Sequence, residues 1–524
     1  MQTPTRGADA GRLPAAWWLI PATVALLRML PVLSLDWAPP PPGQTYLGVS
    51  YLPADFLAYS SLVRQVSENA TPFFYDPFTS EPQTGRFLFL FHWVVGLAAR
   101  VTGASAVAAL EWSRVPAIFA CFAALAWFLR PIFPERRDRI ATLLLVAFAS
   151  GIESFLLLLV PELPEAWALR LREDTSPYYG WSLFASFFNP LWSTGLALGL
   201  LVLRPLLFTA ERSRRALVGA GALLFLLFFV HPYTAIGVCA ITGATPVVAW
   251  LLRQPPTWRR ELENALVLGA ALVATGALSL WQLQDPVYRA SSGGIFGSFS
   301  KSVLWYPVTL GVLGVLALAG GRRFWRERHP ARFALFGWVA AIVLLQTLPI
   351  LNGYKFVFLL PLPLCVLAAP AARELFARRA WLAAGVSVLL FGGALLQTVE
   401  AVRSTRAVGA VPSDLMRAVE TLVREPAGNA LTSPGVGNVL PAFTSHRVFV
   451  GHWFMTPEFT SRSVWFRRFV WDPGAAAELR RTVRVQGIRY VIVPSKRADY
   501  VAGQLAEPPL ERRPAGELEV LILR

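Results

Sequence analysis

Residues 37–87 read WAPPPPGQTYLGVSYLPADFLAYSSLVRQVSENATPFFYDPFTSEPQTGRF. This stretch is too polar to cross a bilayer and too aromatic for a disordered linker. Pro53 and Asp55 precede a helical pattern that runs to about Asn69, with Phe56, Tyr59, Leu62, Val63 and Val66 on one face. Such an amphipathic segment is expected to lie along a membrane interface rather than through it. The apolar run that follows, 87–101, is short for a crossing, which takes about 20 residues. If it crossed, the sidedness of every later loop would invert, so it is read as a second interfacial or re-entrant helix.

Working outward, apolar runs of crossing length recur along most of the 524 residues. The chain is 55% hydrophobic and 15% charged, against about 25% charged in a soluble protein. A polytopic α-helical membrane protein follows. The net charge of +16 does not indicate nucleic acid once its charges are placed. Segments 1–13, 130–139, 204–215, 253–261, 321–332 and 373–379 hold 21 basic and 7 acidic residues, whereas the alternate stretches 36–115, 161–181, 284–304 and 352–355 hold 9 and 11. That alternation sets orientation, with the basic turns and the N-terminus in the cytoplasm. The N-terminal basic stretch and the apolar run 14–33 resemble a signal peptide, but no small-residue cleavage site follows, so the run is read as the first crossing. Further crossings are expected near 112–129, 140–160, 183–203, 216–231, 234–252, 263–283, 304–320, 333–351, 356–372 and 380–399, eleven in all. The second true crossing is thus expected only after a first outer loop spanning 36–111.

The texture changes near Glu400. Runs NALTS, RVFVGH, RYVIVP and LEVLIL read as strands, with helical patterns at about 413–424, 456–469 and 475–486. These predict a small extracytoplasmic α/β domain over 400–524 beyond a membrane domain over 1–399. No P-loop, dinucleotide-binding fingerprint or HExxH is present. Cys121, Cys239 and Cys365 all lie in apolar segments, which argues against a disulfide or thiolate metal site. His446 and His452 lack further ligands at convincing spacing, so no zinc is expected. Deletion of the tail is expected to alter acceptor use or stability, while changes at either histidine should leave turnover largely intact.

Asp55 can be read as a helix N-cap or as a general base at the edge of a membrane cavity. Glu153, in FASGIESFL, is an acid within an apolar crossing, where ionisable groups are costly and usually paired or functional. His231 in FFVHPYT and Lys355 in LNGYKF lie at outer helix ends, where they snorkel or join Arg86 in holding a phosphate. His92 and Trp93 lie on the second interfacial helix, and Asn189-Pro190 opens an inward crossing.

Asp55 opening a helix, Glu81-Pro82, and Arg86 directly before FLFLFHWVVGLAARVTG together resemble the first outer loop of the GT-C membrane glycosyltransferases. The relevant branch holds the aminoarabinose and protein mannosyl transferases. The tail's GNVLPAFTSHRVFVGHW and GIRYVIV resemble the soluble segment of many bacterial members. The family's Asp-Glu pair stands here as Ala54-Asp55, and its Lys-Pro-Pro is reduced to Arg86. The resemblance implies an inverting transferase with a polyprenyl-phosphate sugar donor and a glycan, lipid or protein acceptor, acting at the outer face of a bacterial inner membrane. Asp55 would be the base, Arg86, Lys355 and His231 would hold the donor phosphate, and Asp174 and His92 would serve the acceptor side. No cofactor is implied; a divalent metal is possible but not indicated. The competing reading is a transporter or a scaffold for envelope polysaccharide assembly. Against a transporter, no repeat symmetry is visible.

Overall fold

The computed structural model describes residues 16–50, 53–150, 155, 183–208, 212–254, 257–292, 306–348, 353–505 and 510–523. The chain opens with α1 (Ala16–Leu33) and a short strand β1 (Gln44–Tyr46), then α2 (Pro53–Asn69). A two-stranded ribbon, β2 (Phe73–Phe74) with β3 (Phe87–Leu88), leads into α3 (Leu90–Thr102), α4 (Ala106–Trp112), α5 (Arg114–Leu129) and α6 (Arg136–Phe148). The bundle continues with α7 (Pro190–Leu207), α8 (Arg214–Val230), α9 (Pro232–Leu251) and α10 (Trp258–Gln282). It closes with α11 (Tyr306–Arg326), α12 (Arg332–Thr347), α13 (Pro361–Arg378) and α14 (Ala380–Val408). Proline at the first position of α7, α9 and α13 starts those helices, since its missing N–H is an unpaired donor there anyway.

Among the described residues, seven spans are long and apolar enough to cross a bilayer: Trp17–Asp36, Ala106–Leu129, Pro190–Leu207, Pro232–Leu251, Trp258–Gln282, Lys355–Arg378 and Ala380–Val408. This is a polytopic α-helical membrane protein. The expected segments near 216–231, 234–252 and 263–283 coincide with α8, α9 and α10. The expected 183–203 segment instead begins at Pro190, because Asn189 caps the helix by accepting the Leu191 N–H at 3.0 Å. At 13 residues α3 stays short. It packs on α2 while Val94 and Val101 remain exposed on its other side.

The tail begins with β4 (Ala410–Pro412) and α15 (Ser413–Val423), then β5 (Asn429–Leu431), α16 (Pro434–Phe443) and β6 (Arg447–Val448). α17 (Phe459–Trp471), α18 (Ala476–Val485), β7 (Ile488–Pro494), α19 (Ser495–Leu505), β8 (Leu510–Ala515) and β9 (Leu518–Leu523) complete it. The mixed sheet has the order β6-β5-β7-β9-β8, parallel from β6 through β7 and antiparallel beyond. All four strand-like runs of the sequence are strands. α14 runs through residue 400 to Val408, so the expected boundary falls inside a helix.

One result differs from expectation. Tyr490, Ile492, Val520 and Ile522 on one sheet face join a core shared with Phe56, Val63, Phe74 and Val95 of the outer loop. Leu431, Val491, Val493 and Leu521 face the other way, onto α17, α18 and α19. β1 also pairs antiparallel with β4. The outer loop and the tail therefore share one core. In consequence α2 is more fully enclosed by protein than its amphipathic pattern implies. It is buried on the predicted face and also at Leu57, Ala58, Ser60 and Ser61, where α16 and α4 cover it. Ser60 and Ser61 tolerate that burial because each hydroxyl donates to a carbonyl of its own helix, at 2.7 and 2.6 Å.

Candidate active site

Asp55 stands in the first turn of α2 with its side chain 28% exposed, open enough to meet a substrate. Its Oδ1 accepts a hydrogen bond of 3.1 Å from Nε2 of His452, a residue 397 positions later. Nδ1 of the same ring accepts the Met455 N–H at 3.3 Å. Neutral His452 therefore carries its proton on Nε2 and donates it toward the carboxylate. The ring packs against Phe78 and Trp453, with centroids at 5.6 and 5.9 Å, which limits its rotation. One carboxylate oxygen is held by His452, and among the described residues the other has no hydrogen bond.

Backbone packing delivers His452 to that position. A Cβ at Gly437 on α16 would meet the Val450 carbonyl oxygen at 2.0 Å, so only glycine lets the segment after β6 lie this close. The neighbouring Asn438 donates to the Ala54 carbonyl at 3.4 Å. Gly437→Ala is accordingly expected to displace residues 450–452 and cost about 1–3 kcal/mol, as overpacking does. Thermal unfolding of the purified variant measures the cost.

Behind Phe56 lies a buried ion pair. Arg114 Nη2 is 2.9 Å from Glu111 Oε2, with both side chains nearly or fully inaccessible. Glu111 also accepts the Ser50 N–H at 2.8 Å, and Arg114 Nε donates to the Phe188 carbonyl at 2.6 Å. The guanidinium stacks near the rings of Phe188 and Phe56, at 4.5 and 5.6 Å. The group fixes α1, the outer loop and the approach to α7 around the start of α2.

Across the N-terminus of α7, His231 and Lys355 come together. Lys355 Nζ lies 4.8 Å from the Tyr233 ring centre, and the His231 ring packs on Trp192, Tyr233 and Phe358. His231 Nδ1 shares a 2.7 Å hydrogen bond with Thr234 Oγ1.

A helical bundle with a short helix pair in its first outer loop, and a mixed-sheet tail folded onto that loop, has solved counterparts. ArnT from Cupriavidus metallidurans, bound to undecaprenyl phosphate, superposes with a TM-score of 0.56 at 14% identity, over 97% of this chain and 98% of that one. The Archaeoglobus fulgidus oligosaccharyltransferase tethered with an acceptor peptide gives 0.52 at 12% identity, over 92% and 69%. The arabinofuranosyltransferase AftD from Mycobacteria gives 0.55 at 19% identity, over 98% of this chain and 42% of that one. This chain has the GT-C fold. No protein-family model and no curated protein sequence matches it.

Within this GT-C fold the other candidates are placed unevenly. Arg86 does not join Lys355 and His231 through any contact among the described residues. It donates to the Trp281 carbonyl at 3.0 Å and to Gln284 Oε1 at 2.7 Å, and stacks 4.9 Å over the Trp281 ring, so it ties the outer loop to the end of α10. His92 is buried among Tyr59, Phe89 and Phe91, and neither ring nitrogen has a partner among the described residues. Burial pushes its pKa down to about 3, so it stays neutral. An acceptor role for His92 would need the rings around it to open. Glu153 and Asp174 lie outside the described residues.

Glu81 forms an ion pair with Arg462 of α17, another strap between loop and tail. His446 is structural: Nδ1 accepts the Gly428 N–H at 3.2 Å and Nε2 donates to the Leu422 carbonyl at 2.9 Å. Sequence reading dismissed His452 together with His446, and it missed Asn438, Glu111 and Arg114. No local pattern separates the two histidines, and only the tertiary packing does.

Asp285 offers a pH test of the loop anchor. It is fully buried and accepts Thr84 N–H and hydroxyl at 2.6 and 2.7 Å, and the Val287 and Tyr288 N–H groups at 2.9 and 3.2 Å. Burial alone would raise its pKa, but the hydrogen bonds from Thr84, Tyr288 and Val287 outweigh it and leave the carboxyl below its ordinary value. A depressed folded pKa stabilises above the unfolded value of about 3.9 and is lost as pH falls through the folded one. Protection of the amides at residues 84–88 and 284–292, relative to the intrinsic exchange rate at each pH, should therefore be high at pH 6 and fall below about pH 4. Asp285→Ala should bring that loss of protection to pH 6.

Proposed function

We propose that this chain is an inverting glycosyltransferase that moves a sugar from a polyprenyl-phosphate donor to a glycan, lipid or protein acceptor at the outer face of a bacterial inner membrane. The observation that carries the reading is the Asp55–His452 pair at the mouth of the outer loop. Asp55 takes the proton from the acceptor hydroxyl or amine as its oxygen or nitrogen attacks the anomeric carbon. The bond from that carbon to the phosphate oxygen breaks, and polyprenyl phosphate leaves with the electron pair. With Asp55 acting as base on the acceptor, a single displacement inverts the anomeric centre. Lys355 is suited to meet the leaving phosphate by charge, His231 only as a neutral hydrogen-bond partner, since burial and the nearby Lys355 push its pKa down to about 3, and Arg86 the donor's approach along the loop. Charge stabilisation of this kind is strong where protein excludes water. Of the solved counterparts, one is bound to undecaprenyl phosphate, one is tethered with an acceptor peptide and one is named as an arabinofuranosyltransferase, which supports the reading without naming this chain's sugar.

His452 orients the base rather than replacing it. His452→Ala should lower kcat about 10- to 100-fold, because a small misplacement of a reacting group costs that much. His452→Gln, which keeps an N–H donor, should recover part of the loss. Orientation is tested separately: reporter fusions near residue 135 should report cytoplasm, and fusions near residue 450 the outer side. A cytoplasmic signal at 450 would place Asp55 on the wrong face for this chemistry.

A further inference from the structure

α11, which ends in the basic turn away from Asp55, carries a break near its start. Gly311 has φ 44° and ψ −125° inside the helix, a backbone state that side-chain-bearing residues seldom adopt. Gly311, Gly314 and Gly321 thin the facing side of α11, and a groove of about 970 Å³ opens between α9, α11, α12 and α13. Leu318, Phe336, Leu364 and Leu367 line it, and Val315 and Leu318 at its edge are exposed, as a bilayer-facing opening requires. Its only charged lining residues among those described are Arg322 and Arg326.

Those two arginines also line a second cleft, of about 840 Å³, so the apolar groove runs directly into a basic one. Six arginines and two glutamates line that cleft. Its acids are already engaged: Glu327 with Arg323 at 2.7 Å, and Glu374 with Arg378 at 2.9 Å and Arg323 at 3.8 Å. Arg373 is held by Glu135 and Asp138, at 2.5 and 3.2 Å. Arg137, Arg322 and Arg326 have no ion pair or hydrogen bond among the described residues. An arginine that only sets topology needs water alone. Three exposed guanidiniums without an ion pair among the described residues, at the mouth of an apolar groove, suit an anion joined to a hydrocarbon chain.

We propose that this groove and cleft form one site for an anionic glycerophospholipid of the cytoplasmic leaflet. An acyl chain fills the space beside Gly311 and Gly314, where burial of apolar surface holds it. The phosphate accepts paired N–H donors from Arg322 and Arg326, with Arg137 adding charge. The reacting phosphate of a sugar donor would have to sit beside Asp55, at the opposite end of the bundle, so this site is separate from the chemistry. α5 shows the separation: it starts at Arg114 beside the outer loop and ends at Leu129, next to the basic turn 130–139.

The test is native mass spectrometry of the purified full-length chain with dioleoyl phosphatidylglycerol, dioleoyl phosphatidylcholine, undecaprenyl phosphate and water-soluble glycerol phosphate. Phosphatidylglycerol should be retained about tenfold or more over phosphatidylcholine, and Arg137→Ala/Arg322→Ala/Arg326→Ala should abolish the difference. Arg322→Ala alone, for use if the triple variant is not monodisperse, should reduce it severalfold. Four results would each overturn the proposal. They are equal retention of the two phospholipids, retention unchanged in the variants, displacement by glycerol phosphate at matching concentration, or variants that lose undecaprenyl phosphate while keeping the preference for phosphatidylglycerol.

Discussion

Asp55→Asn is expected to reduce turnover by about 10²- to 10⁴-fold, the usual contribution of a positioned general base. The substitution keeps the shape of the side chain and its capacity to cap a helix. It also keeps an oxygen able to accept from His452 Nε2, now 3.1 Å away. What it removes is the ability to take a proton. Thermal unfolding should therefore shift little, and donor affinity should change far less than kcat. Turnover within a few-fold of the parent in folded Asp55→Asn would reduce Asp55 to a structural residue of the first turn of α2 and move the search for the base to Glu153. Arg86→Ala should behave differently, raising the KM for donor while leaving kcat nearly intact, because its contacts tie the loop to α10 and do not touch Asp55.

The largest expected loss of stability is at Glu111. Removing its carboxylate in Glu111→Ala leaves the Arg114 guanidinium fully buried without its counter-charge, and leaves the Ser50 N–H without an acceptor. Breaking a buried pair from one side costs about 3–5 kcal/mol. The purified variant should unfold at clearly lower temperature and lose activity, since the start of α2 rests on this group. Paired replacement, Glu111→Leu with Arg114→Leu, should be much milder, because it removes both charges together. Equal destabilisation by the single and double changes would show that the ion pair is not what holds the loop.

The bundle was legible because each crossing needs a long apolar run, and a run of that length has few other structural uses. Helix ends were legible where a local device marks them, as at Asn189-Pro190. The joint core of outer loop and tail was not. α2 reads as half-polar, yet Ser60 and Ser61 satisfy their hydroxyls within their own helix and can be buried on the second side. The sheet's strands were visible one by one, whereas which face would meet the outer loop is set by contacts hundreds of residues apart. The same holds for the site. Asp55 announced itself by its place at a helix start, but the value of His452 depends on Gly437 allowing the Val450 backbone to close in. Lys355 and His231 were grouped by shared depth, and they do meet around Tyr233. Arg86, grouped with them on the same ground, is held elsewhere by α10.

The central claim is a single displacement from a polyprenyl-phosphate sugar, with Asp55 as base and the tail's His452 orienting it. The most direct measurement follows radiolabelled sugar from synthetic undecaprenyl-phosphate pentoses and hexoses of known anomeric configuration, using the purified full-length chain and extracted envelope glycans, lipids and proteins as acceptors. The predicted result is one undecaprenyl phosphate released per sugar transferred, an inverted anomeric centre in the product, and loss of both in Asp55→Asn. Transfer with retained configuration, or transfer undiminished in Asp55→Asn, would contradict it.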